Sequence, residues 1–160
     1  MAAAPTPAIA ALLRAKITHT LHPYHHDPST TAFGDEVVAA LHWDPERVFK
    51  TLVASIDGGG LVVGIVPVAA HLDLKALAAV AGGKKAQLAK VADAERSSGY
   101  VAGGISPIGQ RKPLPTVIHS SVEEFPTVMV SAGKRGLQVE LAPADLIAVC
   151  TATVADIATT

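Results

Sequence analysis

Residues 48–68 read VFKTLVASIDGGGLVVGIVPV: two apolar runs rich in Val and Ile, split by Asp57, Gly58, Gly59 and Gly60. β-Branched residues suit a pleated strand, and an Asp-Gly step between two such runs supplies the tight reversal of a β-hairpin. One residue breaks the apolar pattern. Strict pleating groups Lys50 with Val48, Leu52, Ala54 and Ile56, which aims an ammonium at an apolar side of the strand. A cation in that position needs an anionic partner or a cavity.

Working outward, Thr6 followed by Pro7 predicts an N-cap and a helix near 7–17, with Ile9, Leu12, Leu13 and Ile17 at helical spacing. Thr18 to His26 predicts a short strand, and Phe33, Val37, Ala40 and Leu41 a second helix stopped by the Asp44, Pro45 turn. Beyond the hairpin, Asp73 is placed to cap a short helix ended by Gly82 and Gly83. A short strand is expected near Ala86–Leu88, and a helix from Ala92 to Ser98 closed by Gly99. Thr116–Ile118 reads as extended, and Ser121 with Glu124 as a capping box. Thr127–Ser131 and Leu137–Leu141 form a second hairpin around a Gly133–Gly136 turn, and Pro143 opens a last helix holding Leu146, Ile147 and Cys150. Helices and paired strands mix without a βαβ repeat. The expected class is α+β, with a curved, mostly antiparallel mixed or barrel-like sheet flanked by helices.

Length and composition narrow the classes. A chain of 160 residues fits one domain over 1–160. Hydrophobic residues make up 49%, yet no apolar run approaches the roughly 18–20 residues of a membrane span. In MAAAPTPAIAALLRAK the basic residues Arg14 and Lys16 follow the apolar part, the reverse of a secretory signal, so a cytoplasmic location is expected. A net charge of −1 lacks the positive field of a protein that grips long nucleic acid, which argues against a DNA partner and limits any contact with RNA to a small part of it. The single cysteine excludes an internal disulfide and a cysteine-rich zinc site.

Candidate chemistry centres on 99–118, GYVAGGISPIGQRKPLPTVI. Gly103 and Gly104 let a ligand approach the main chain, and Pro107, Pro113 and Pro115 hold the path of the loop. Ser106 lies there without a GxSxG motif, so it is not read as a nucleophile. His22, His25, His26 and Asp27 crowd together in LHPYHHDP, but the HExxH spacing is absent and a strand sends His25 and His26 to opposite faces; no metal or other cofactor is expected. Tyr24 in the same stretch can wall a pocket and still offer a hydroxyl. Asp35, Glu36 and Asp145 are read as complements to helix dipoles, and Cys150 as a buried small hydrophobe.

Phe33 opening a helix, VFKTLV with Lys50 and Thr51, GYVAGGISPIG over 99–109 and SAGKRGLQVEL over 131–141 together resemble the YbaK/EbsC family. Those are bacterial Cys-tRNA(Pro) deacylases related to the editing domain of prolyl-tRNA synthetase. The resemblance runs nearly end to end, with the motifs in the same order. It implies hydrolysis of the ester joining a wrong amino acid, chiefly cysteine, to the 3′ end of tRNA(Pro), with prolyl-tRNA synthetase as a possible partner. It also implies a pocket walled by Tyr24, Phe33, Lys50, Thr51 and Ser131, with Ile105 and Ser106 on the loop and Gln138 as further substrate contacts. The N–H groups of Gly103 and Gly104 would face the developing oxyanion, Lys50 would position the substrate, and Ser131 with the GKRG turn would hold the adenosine. Familiar members carry an aspartate after KRGL where this chain has Gln138, and a glutamine cannot act as a general base. The resemblance therefore implies catalysis assisted by the substrate's own thiol or a ribose hydroxyl. Two alternatives stay open: an alanine- or serine-specific deacylase on the same fold, and a nucleotide-binding module that has lost catalysis.

Overall fold

The computed structural model describes residues 5–57 and 59–160; Met1–Ala4, part of the N-terminal stretch read above, and Gly58 of the first hairpin turn lie outside the described residues. Thr6 caps helix α1 (Pro7–Arg14), its Oγ1 accepting from the Ile9 N–H at 3.2 Å, and β1 spans His19–Pro23. Helix α2 (Phe33–Leu41) ends on His42 in the left-handed conformation, one turn before the Asp44, Pro45 step expected to stop it. The hairpin forms as β2 (Phe49–Ile56) and β3 (Leu61–Pro67), in antiparallel register from Phe49↔Pro67 to Ser55↔Leu61.

Next come β4 (His71–Leu72), α3 (Leu74–Val80) capped by Asp73, β5 (Ala86–Leu88), and α4 (Val91–Ser98) closed by Gly99 at φ 82°. After the long loop come β6 (Thr116–His119), a 3₁₀ turn (Ser120–Glu124), β7 (Val128–Lys134), β8 (Leu137–Leu141), α5 (Pro143–Cys150), β9 (Thr153–Ala155) and β10 (Ala158–Thr159). Besides the earlier ends of α1, at Arg14 instead of near 17, and of α2, three details differ from expectation. The capping box does not form: His119 precedes the 3₁₀ turn with no side-chain cap, and the buried Ser121 Oγ has no hydrogen-bond partner. β7 runs on to Lys134 through a bulge after Ser131, so only Arg135 and Gly136 make the turn. β4, β9 and β10 were not anticipated, being two or three residues long and defined only by distant partners.

The class is α+β. The strands sort into a sheet β1-β8-β7, a sheet β5-β2-β3-β6-β9 and the pair β10-β4, with no closed barrel. Pairing is antiparallel except for β3–β6 and β6–β9, which are parallel. The main core lies between the two larger sheets: Phe49, Val53, Val63, Ile65 and Ile118 meet Val130, Val139 and Leu141, closed by Leu12 of α1 and Leu146 of α5. The other face of β2 and β3 packs Ala54, Val62 and Val66 against Leu77 and Ile157. This alternation puts Lys50 on the face of Leu52 and Ala54, as the pleat predicts.

Besides this side-chain packing, the main chains of the two large sheets are joined at one point among the described residues, a parallel bridge Val48↔Met129 with Met129 N–H donating to Arg47 O at 3.0 Å. Beyond it β2 and β7 diverge, and the space between them is the site.

Candidate active site

A cavity of about 510 Å³ opens where the strands part. Val48 and, from β2, Phe49 to Leu52 line it, α2 with Phe33, Gly34 and Asp35, the loop with Gly103 and Ile105, and β7 and β8 with Ser131 and its register partner Gln138. That volume is within the range of pockets that enclose a small organic ligand.

Lys50 is the cavity's ammonium. Burial pushes its pKa below the ordinary lysine value, and the Asp35 carboxylate offsets part of that shift. A desolvated cation with one distant carboxylate is poised to gain from a bound oxyanion or phosphate. From the same strand the buried Thr51 Oγ1 has no hydrogen-bond partner among the described residues, and neither has Gln138 Oε1 of β8. An unpaired buried polar atom costs roughly 1–3 kcal/mol. Two at one cavity mark a surface completed by a ligand or water.

The glycine loop is held by shape. Gly103 has φ +87°, and a Cβ there would stand 2.6 Å from Phe33 Cε1: the phenyl ring lies directly on this residue. Arg135 completes the clasp, its Nε donating to Ala102 O at 2.7 Å with its guanidinium 5.6 Å from the Phe33 ring centre. A Cβ on Gly104 would meet the Lys134 and Arg135 backbone at 2.7–2.8 Å, and its N–H donates to Val101 O at 2.9 Å. The expected pair of oxyanion donors is thereby corrected, because Gly104 spends its N–H inside the loop. The N–H groups of Gly103 and Ile105 have no acceptor among the described residues.

Seven sequence-predicted residues line the cavity: Phe33, Lys50, Thr51, Gly103, Ile105, Ser131 and Gln138. Ser106 does not. It is fully buried, its Oγ accepting from Ile108 N–H at 3.2 Å and its carbonyl from Gln110 Nε2 at 3.0 Å, which makes it a brace of the loop. Tyr24 stands behind Gln138, its N–H bonded to Gly136 O at 2.9 Å. Burial raises its phenol pKa, opposed by hydrogen bonding from the Gly136 backbone and the Gln138 side chain. Ser131 Oγ accepts from Gly133 N–H at 3.1 Å across the bulge.

The histidines divide rather than cluster. His22 Nε2 lies 2.8 Å from Glu140, His26 Nδ1 lies 2.7 Å from Glu36, and His25 faces out. The His26 bond holds Glu36 below the usual carboxylate range and ties α2, with Phe33 and Asp35, to the segment after β1. Sequence reasoning missed the two other titratable lining residues, Asp35 and His71. Asp35 was read only as a dipole complement, and the side that its helix turns to Lys50 is set by packing. His71 sits on a two-residue strand with no sequence signal of its own.

The fold and site define an α+β domain with a cleft-borne lysine facing a glycine loop, an architecture suited to a carbonyl or phosphate centre. The model of the aminoacyl-tRNA editing domain matches residues 26–149, and the chain belongs to this family, the YbaK/EbsC editing domains, whose activity is aminoacyl-tRNA deacylation. A relative from Enterococcus faecalis, the presumed Cys-tRNA(Pro)/Cys-tRNA(Cys) deacylase EbsC, is 39% identical over 125 residues, covering 78% of this chain and 76% of the relative. Among solved structures, a presumed trans-editing enzyme for prolyl-tRNA synthetase superposes with TM-score 0.83 at 22% identity over 99% of this chain and all (100%) of the other. A presumed signal transduction protein of Marinobacter aquaeolei contains the same fold in 31% of its length, with TM-score 0.66 at 17% identity. Among the described residues no helix is long and apolar enough to cross a membrane.

Proposed function

We propose that the whole chain, as one cytoplasmic editing domain, clears cysteine from mischarged tRNA(Pro) by letting the substrate's thiol do the work of a nucleophile. One observation carries this: the cavity combines an ammonium with neutral polar groups, and among the described residues neither of its hydroxyls, Thr51 Oγ1 nor Ser131 Oγ, is hydrogen-bonded to a group that could act as its base. Ser106 is buried in the loop's own bonding. The Cys150 thiol contacts Pro107 O at 3.4 Å, and burial raises its pKa to about 12, which keeps it protonated and inert. Gln138 lines the cavity and cannot take a proton at neutral pH.

In this mechanism the cysteinyl sulfur attacks the ester carbonyl carbon. The proton it loses ends on the ribose 3′ oxygen as the carbon–oxygen bond breaks, and the cyclic thioester released then hydrolyses. Lys50 holds the adenosine phosphate or the developing oxyanion, while the free N–H groups of Gly103 and Ile105 supply further donors. Ser131 and the Arg135–Gly136 turn hold the adenosine, and Phe33 with Arg135 keeps the loop closed. The near-neutral net charge supports borrowing tRNA selectivity from prolyl-tRNA synthetase in a ternary complex.

The test is a deacylation time course on Cys-tRNA(Pro) and Ala-tRNA(Pro), with natural enzyme and Lys50→Ala, with and without the synthetase. Rapid loss of cysteine alone, abolished in the variant, is expected. Loss of alanine instead would move the chain to the alternative specificity; binding of adenosine without turnover of either substrate would leave a nucleotide-binding module. Gln138→Asp should leave the rate within a few-fold, and a large gain would show that a base had been missing.

A further inference from the structure

The parting of β2 from β7 leaves main-chain groups without ladder partners. Even-numbered residues of β2 bond towards β3: Val68 N–H donates to Val48 O and Ile56 N–H to Gly60 O, both at 2.8 Å. Odd-numbered residues therefore turn their N–H and C=O to the other edge. There Ala89 N–H donates to Val53 O at 2.9 Å and Asp57 N–H to Lys85 O at 3.0 Å, but pairing with β5 stops at Ala54↔Leu88. At the opposite end β7 bonds only through the Val48↔Met129 bridge, and Gly133 N–H, further along β7, is taken by Ser131 Oγ. Thr51 falls in the gap.

Its carbonyl has no donor among the described residues, and its Oγ1 is buried without a partner. Gln138 Oε1, on the far wall of the same cavity, also lacks a donor. Thr51 thus presents two acceptors without donors from one residue, complementary to a compact group carrying several N–H bonds, with Gln138 Oε1 a further acceptor on the cavity lining. An α-ammonium has three, and it lies one carbon from the ester carbonyl. We propose that Thr51 is the ammonium station of the site, so that the enzyme takes aminoacyl esters with a free amine and rejects those whose amine is removed or acylated. This rests on the deacylase reading above. Asp35, at the exposed rim, is the competing acceptor, and its charge is already drawn to Lys50.

The experiment separates binding from turnover. 3′-Amino-3′-deoxyadenosine acylated with cysteine, or with 3-mercaptopropionate, which lacks the amine, is titrated by calorimetry into the natural chain, Thr51→Val, Thr51→Ser and Asp35→Asn. Cleavage of Cys-tRNA(Pro) is followed in parallel. The natural chain should prefer the cysteinyl ligand on the order of 10- to 100-fold, as hydrogen bonds to a charged group predict. Thr51→Val should erode that preference about tenfold, and Thr51→Ser should retain it, which rules out a folding defect at this position. Equal affinities in the natural chain, absence of binding by either ligand, a preference unchanged in Thr51→Val, or a loss confined to Asp35→Asn would each overturn the assignment. A preference without turnover would keep the station and remove the deacylase reading; turnover without a preference would do the reverse.

Discussion

Lys50 shows how one residue joins stability to function. Its side chain occupies a position that the pleat reserves for an apolar group, and burial lowers its pKa with only partial help from Asp35. The residue is therefore a site of stored cost, kept because the charge is useful when an anion binds. Lys50→Met keeps the apolar stem and removes the charge. It should raise the melting temperature by about 2 °C while abolishing deacylation. Calorimetry and the tRNA assay on one preparation check both halves; a lower melting temperature would mean that Lys50 holds the fold together through Asp35.

At the scale of elements, the clasp between α2 and the glycine loop controls the cavity. Phe33 opens the helix, its ring rests on Gly103, and His26 anchors the same helix turn through Glu36. Gly103→Ala strains a backbone at φ +87° and pushes its Cβ to within 2.6 Å of the ring. The expected cost is about 1–3 kcal/mol, with kcat/KM reduced because the loop donors move. Phe33→Ala in the same chain should recover part of the stability loss, since the clash is gone while the φ strain stays. A double-mutant cycle measures that coupling, and strict additivity would show that the ring and loop do not press on each other.

Across the whole molecule, alkaline pH tests the packing of the core. Burial raises the pKa of the Tyr100 phenol and the Cys150 thiol, each to about 12, from ordinary values of 10.0 and 9.0. Tyr100 donates to Ile108 O at 2.6 Å and lines the core beside Ala8 and Leu12. Both groups stay protonated in the native state after the unfolded chain has lost those protons. Their contribution is thus complete below about pH 9 and is lost as pH rises to about 12, at up to ~1.4 kcal/mol per pH unit for each group titrating in the unfolded chain. Urea unfolding at a series of pH values should show stability falling first with the thiol and then more steeply with the phenol. Cys150→Ala should remove the first part of the decline, and an unchanged profile would show that the thiol reaches solvent.

Short-range order was legible because its causes are local. Thr6 and Asp73 cap helices through side chains three residues from their targets, and Gly99 closes a helix by adopting a conformation few other residues reach. The 48–68 hairpin follows from two β-branched runs around a glycine turn, and the face of Lys50 from the period of a strand. Where those elements meet depends on contacts distant in sequence, and these only the tertiary structure decided. The single Val48↔Met129 bridge and the divergence beyond it create the cavity. They leave the outer edge of Thr51 without a ladder partner among the described residues and bring Asp35 and His71 to the rim, and the β7–β8 turn packs closely on Gly104, whose loop bonds to itself. By itself the sequence determined the helices, the longer strands and which cation would be out of place, because those follow from neighbours along the chain. The empty space beside that cation is a relation between two sheets, set by how their cores pack.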